Sequence, residues 1–78
     1  MPTVLYEEAY RFFFYAGDRD EPIHIHVERD ENSAKFWLLP VRLRRSNGFK
    51  RPEIRRIRKI IEEKEQQIER SWNEYFNG

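Results

Sequence analysis

At 78 residues the chain has room for one thin core, since domains of this size bury only about 60–65% of the surface their unfolded chains expose. Charged residues make up 37% and aromatics 15%, a mixture too aromatic for a disordered chain and read here as a folded domain with charged surfaces. The absence of cysteine excludes a disulfide scaffold, a thiol nucleophile and any cysteine-bearing zinc knuckle.

Net charge is +1, but it is unevenly distributed. Residues 42–59 carry nine Lys/Arg against the single acid Glu53, a local +8, and the remaining sixty residues sum to −7. Such segregation implies an anionic partner for the basic part. The opening MPTVLYEEAY has no basic segment followed by an apolar run, which predicts no signal peptide. No stretch approaches the ~20 apolar residues of a membrane span, so a cytoplasmic location and no membrane partner are expected.

In chain order, Thr3-Val4-Leu5 reads as a short strand. Tyr10 to Ala16 is a β-prone aromatic run closed by the turn signal Gly17-Asp18. Ile23 to Arg29 alternates as Ile-His-Ile-His-Val-Glu, the period of two of a half-buried strand. Asp30 to Ser33 makes the next turn, Ala34 to Leu39 another strand ended or edged by Pro40, and Val41 to Arg44 alternates again. The short connections require antiparallel pairing. After Ser46-Asn47-Gly48, Arg51-Pro52-Glu53 suits a helix start. Ile54, Ile57, Ile61, Ile68, Trp72, Tyr75 and Phe76 then form one apolar stripe over about seven turns, which Asn77-Gly78 ends. The pattern predicts a single α+β domain over residues 1–78. It is a small antiparallel β-meander of three to five strands within residues 1–45, with one long C-terminal helix, about residues 51–76, packed on one face.

The helix stripe needs an apolar sheet face, and Phe12, Phe14, Ile23, Ile25, Val27, Ala34, Phe36 and Leu38 supply it. The opposite face then carries Arg11, Phe13, Tyr15, His24, His26, Glu28, Lys35 and Trp37, with no second helix in the sequence to cover it. Aromatics among basic groups suit a nucleic-acid platform. They equally suit a protein interface, or rings simply shielded by long charged side chains.

His24 and His26 are the only histidines. On a strand they point the same way, roughly 6.5–7 Å apart at the backbone, and can converge on one metal ion. A metal needs at least a third protein ligand, and His24, His26 and Glu28 form a line rather than a cup. Asp18 or Asp20 could supply a carboxylate from the turn, but nothing in the sequence requires it, and a metal is the least favoured reading. As a metal-independent acid/base pair, the two imidazoles could flank a phosphodiester, with Lys35 stabilising the developing charge. The remaining alternative is that both are plain outward strand positions.

In the basic segment, Arg42, Arg44 and Arg45 leave the last strand. Lys50, Arg51, Arg55, Arg56, Arg58 and Lys59 follow at the helix start, while Glu62, Glu63, Glu65 and Glu69 come later. This is the reverse of what the helix dipole favours, and phosphate or an acidic partner would explain it. Pairs such as Arg58–Glu62 and Lys59–Glu63 account for part of the cluster as ordinary helix-surface bridges but leave Arg42 to Lys50 unexplained.

Several strings stand in a set order. These are Met1 to Leu5, Tyr10 to Tyr15, Glu21-Pro22 before His24-Ile25-His26-Val27, Ala34 to Leu38 with Pro40-Val41, Gly48-Phe49, and Trp72 to Phe76. The series resembles the small bacterial proteins of domain-of-unknown-function family 4160 over essentially the whole chain. The resemblance brings no established activity. It implies one half of a two-gene, toxin–antitoxin-like module, and it places the family's His-x-His-Val on His24, His26 and Val27 and its Ala-Lys-Phe-Trp on Ala34 to Trp37. Family members commonly have a second proline directly before the first histidine, where this chain has Ile23.

Two functions are therefore expected. The first is a toxin–antitoxin-type protein that binds or cleaves nucleic acid, RNA ahead of DNA. As an enzyme it would be a metal-independent, cofactor-free ribonuclease using His24, His26 and Lys35. The second is a non-enzymatic module that docks a cognate small protein through Arg11, Phe13, Tyr15 and Trp37. In both, Arg42, Arg44, Arg45, Lys50, Arg51, Arg55, Arg58 and Lys59 contact nucleic acid, and a homodimer is a further expected assembly.

Overall fold

A computed structural model describes residues 3–77; Met1, Pro2 and Gly78, with the expected helix end at Gly78, lie outside the described residues. Five strands form one antiparallel sheet in the order β1-β2-β3-β4-β5: β1 Thr3–Glu7, β2 Tyr10–Phe13, β3 His24–Arg29, β4 Asn32–Leu38 and β5 Val41–Asn47. Two helices follow, α1 Arg51–Glu63 and α2 Glu65–Asn77. The α+β meander expected from the alternation is present.

Alternation also places the core. Phe12, Phe14, Ile25, Val27, Ala34, Phe36 and Leu38 are buried together with Ile57, Ile60, Ile61, Ile68 and Trp72 of the helices. Ile25 lies opposite Phe36 and Val27 opposite Ala34, so each β3–β4 pair contributes two apolar side chains to the helix side. Of the stripe residues, Tyr75 departs from expectation and is 45% exposed, while Ile60 joins the core.

The single long helix is corrected to two. Lys64 leaves helical geometry at φ −105 and ψ 12, and its N–H is shared between the carbonyls of Ile60 and Ile61. The cause is visible in the stripe. After Ile61 the two positions due to face the core are Lys64 and Glu65, and no apolar residue returns until Ile68. With nothing apolar to bury there, the chain bends, and Ile68 and Trp72 restart the buried face on α2.

The second strand ends at Phe13 rather than Ala16. Phe14 turns to meet the Trp72 ring edge-on at 5.1 Å, and the Tyr15 N–H leaves the ladder to donate to Asp18 Oδ2 at 2.8 Å. Ala16–Asp20 then forms a 3-10 helical turn. Elsewhere a clasp holds the start of α1 to the sheet: Tyr10 donates to Glu53 Oε2 at 3.2 Å, Arg29 Nη1 donates to the Tyr10 hydroxyl at 3.3 Å, and Arg29 Nη2 pairs with Glu53. Burial, and next the Glu53 carboxylate, hold the Tyr10 hydroxyl above its ordinary pKa of 10.0.

Three expected outcomes follow from these local constraints. Ala9 occupies left-handed space at φ 72 in the two-residue β1–β2 turn, so Ala9→Gly raises stability in urea by about 0.5–1 kcal/mol at unchanged m. Gly48 stands at φ +97, and a Cβ there would collide with the Asn32 side chain, so Gly48→Ala lowers stability by about 1–3 kcal/mol in the same measurement. The unfolded chain ionises Tyr10 before the folded one does, so stability falls as pH rises past 10.0, and Tyr10→Phe makes that fall shallower.

Candidate functional site

The period of two puts His24 and His26 on the sheet side away from Ile25 and Val27, beside their β4 partners Trp37 and Lys35. That side is not open over the histidines, which corrects the expectation of an uncovered face. His24 is 0% exposed and His26 7%, because the Ala16–Asp20 turn folds over them and Trp72 reaches the His24 ring at 5.2 Å. An outward-looking acid/base pair is therefore absent, and His24 has no solvent access of its own.

Asp18 is what the turn brings. Its Oδ2 lies 3.0 Å from His26 Nε2, which hydrogen-bonds to it, and 3.1 Å from His24 Nε2. The same oxygen accepts the Tyr15 N–H. His24 Nδ1 lies 2.8 Å from the Pro22 carbonyl oxygen, so the Nδ1–H form of the ring donates there. Its Nε2, though near Asp18, is not aligned to bond with it and stands buried without a partner. Aromatic rings wall the cluster: Phe13 stacks on His26 at 5.4 Å, Tyr15 meets it edge-on at 4.6 Å, and Trp37 lies 5.8 Å from His24. Burial is the main reason the His26 imidazole stays below its ordinary 6.5, with Asp18 pulling the other way.

The turn supplies the cup that the line His24–His26–Glu28 lacked. Asp18 was readable as an available carboxylate, but only its position over β3 makes it a neighbour of both imidazoles. Asp20 is exposed. Glu28 instead holds Arg11 at 2.6 Å.

Beyond His26 the same side opens into a cavity of about 410 Å³, lined among others by Phe13, His26, Glu28, Ser33, Lys35 and Arg45. Lys35 is 7% exposed; its Nζ lies 2.5 Å from Glu21 Oε1 and 5.0 Å from the Trp37 ring centroid. That bond to Lys35 is the first reason the Glu21 carboxyl stays below its ordinary 4.5. Of the expected catalytic trio, His26 and Lys35 share this cavity and His24 sits behind it. Of the expected docking residues, Phe13 is buried under the Arg11 guanidinium, 4.4 Å away, and Trp37 is half-buried, leaving Tyr15 as the exposed aromatic at 44%.

The basic residues gather elsewhere. Arg42, Arg44 and Arg45 lie on edge strand β5, where the register shift between Lys35 and Phe36 leaves Arg44 as the extra residue. Lys50, Arg51, Arg55, Arg58 and Lys59 are all exposed along the start and body of α1. Arg58 pairs with Glu62 at 3.6 Å, and Arg56 pairs with Glu8. Among the described residues, Arg42, Arg44, Arg45, Lys50, Arg51, Arg55 and Lys59 have no ion-pair partner.

Meander, helix pair and buried imidazole–carboxylate cluster together define a small α+β protein with a polar cluster sealed beneath a turn. The profile of the family described as Domain of unknown function (DUF4160) matches residues 9–73, and the chain belongs to that family. The matched span includes Asp18, His24, His26 and Lys35. No curated protein and no solved structure matches the chain. No helix among the described residues is long and apolar enough to cross a membrane.

Asp18→Ala removes the shared acceptor and strands the Tyr15 N–H and the His26 Nε2–H in a buried setting. The expected loss is about 2–4 kcal/mol in urea denaturation, with Asp18→Asn losing less because its amide oxygen still accepts from Tyr15. Equal losses in the two variants would show that the cluster is not what pins the turn.

Proposed function

We propose that this protein binds nucleic acid, RNA ahead of DNA, through the arginines of β5 and the first turns of α1, and acts as one member of a toxin–antitoxin-type pair. The observation that carries the binding reading is the set of exposed cations between Arg42 and Lys59 that have no ion-pair partner among the described residues, all of that segment's Lys and Arg except Arg56 and Arg58. Its single acid, Glu53, is turned inward to Arg29 and Tyr10 and does not neutralise the surface. Phosphate is the counter-charge this surface lacks. A cognate small protein is the expected second partner, as the family resemblance implies, with exposed Tyr15 at the cavity mouth as its contact.

A cleaving role is the second reading, favoured by one observation: His26 and Lys35 line the same cavity as Arg45, where a phosphodiester would meet an imidazole and two cations. With His24 buried, a two-histidine mechanism would need the Ala16–Asp20 turn to open.

Fluorescence anisotropy on labelled single-stranded RNA and DNA across a salt series tests the binding reading. The expected result is tighter binding to RNA, with log K falling linearly in log salt. Arg42→Ala/Arg44→Ala/Arg45→Ala should reduce the slope by about 2, at about 0.7 for each phosphate no longer neutralised. No binding at low salt, or a slope unchanged in the triple variant, would rule out β5 as the phosphate-binding strand. Incubation with RNA in EDTA separates the second reading: RNA left intact by the wild type, or cut equally by His26→Ala, ends the histidine-enzyme reading.

A further inference from the structure

We infer that Asp18, His24 and His26 form a binding site for one divalent transition-metal ion of the zinc class. This stands independently of the nucleic-acid reading, since none of the three belongs to the basic segment.

The ligand atoms are already gathered. One ring nitrogen from each of His24 and His26 and a carboxylate oxygen of Asp18 all lie within 4.8 Å of one another, and all three residues are buried. Around tetrahedral zinc, with bonds of about 2.0–2.2 Å, neighbouring ligand atoms stand about 3.3–3.5 Å apart. The separations of 3.0 and 3.1 Å from Asp18 Oδ2 to the two imidazole nitrogens need only a few tenths of an ångström of opening.

The orphaned nitrogen is the independent observation. With Nδ1–H directed at the Pro22 carbonyl, His24 presents its Nε2 lone pair to the cluster, fully buried and without a donor. There it faces an oxygen lone pair of Asp18 at 3.1 Å, an approach that turns attractive only with an electrophile between them. A carbonyl gripping the remote ring nitrogen is also the outer arrangement that orients metal-bound histidine. The rival electrophile is a proton.

The donor set selects the ion. Two imidazoles and one carboxylate suit Zn²⁺, Co²⁺ or Ni²⁺, whereas Mg²⁺ and Ca²⁺ require more oxygen ligands than this cluster offers. The nearby charges, Glu21 and Lys35, pair with each other and leave the Asp18 charge for the ion. Three protein ligands leave a coordination position for water or an added anion, as in catalytic rather than closed structural zinc sites. Phe13, Tyr15, Trp37 and Trp72 provide the apolar surround. Binding moves the Nε2 proton that His26 donates to Asp18 onto Nδ1 of the same ring, leaving the Nε2 lone pair for the ion.

The test uses tag-free, full-length protein stripped with EDTA and titrated with ZnCl₂ or CoCl₂. The chain's only imidazoles are these two, so long-range ¹H–¹⁵N spectra of the wild type report on the site directly. Expected are a 1:1 stoichiometry, visible Co²⁺ absorption of a four- or five-coordinate centre, and shifts at Nε2 of both rings. His24→Ala and Asp18→Asn should weaken binding at least tenfold while Mg²⁺ gives no shift in the wild type. Absence of uptake, or uptake that leaves both Nε2 resonances unmoved, would overturn the inference. The second result would place the metal on surface carboxylates, and neither depends on a variant folding.

Discussion

One carboxylate oxygen fixes the Ala16–Asp20 turn over the non-helical side of β3. Asp18 Oδ2 accepts from the Tyr15 backbone N–H and from His26, and stands against the unpartnered nitrogen of His24. The first of these bonds closes the Ala16–Asp20 turn on itself, and the second ties that turn to β3. Each buried polar group here would cost about 1–3 kcal/mol if stranded, so in a chain with so thin a core the cluster weighs heavily. An apolar pair in place of the histidines would avoid that cost, which makes two buried imidazoles around one carboxylate a poor solution for stability alone.

The rest of the fold is consistent with a molecule that keeps its two charge systems apart. Three acidic residues around β3 have local partners, Asp18 the histidines, Glu21 Lys35 and Glu28 Arg11. Glu53 is consumed in the same way by Arg29. The cations of β5 and, apart from Arg56 and Arg58, those of α1 are left over. Arginines on an edge strand also discourage strand addition by another chain, and Arg42, Arg44 and Arg45 serve that end whatever they bind. Edge protection does not account for Lys50 and Arg51, which stand at the start of α1 where its dipole is already positive, nor for Arg55 and Lys59 further along the helix.

How much of this could be read from the sequence depends on the range of the physics involved. Alternation is local, and it sorted Ile25 and Val27 from His24 and His26 correctly because neighbouring strand residues must point opposite ways. The break at Lys64 had a signal as well, the six polar residues between Ile61 and Ile68 that an uninterrupted stripe glosses over. The turn at Glu8-Ala9 had none, since neither residue is a usual left-handed former and both take positive φ. Which side of the sheet Ala16–Asp20 folds onto was not legible either. That is decided by Tyr15 leaving the ladder and by Trp72 arriving from α2, segments more than fifty residues apart. The pairing of His24 and His26 was therefore visible, and the third member that changes their chemistry was visible only as a residue type.

The cavity is where the two halves of the molecule meet. Lys35 lies opposite His26 on one side and opposite Arg45 on the other, so β3, β4 and β5 present an imidazole, an ammonium and a guanidinium in one row. An anion drawn to the β5 arginines would reach Lys35 next, and binding there would compete with Glu21 for its ammonium. His26 follows, the one member of the buried cluster that also lines the cavity. His24, sealed behind Trp37 and Trp72, can act only by way of Asp18 and His26.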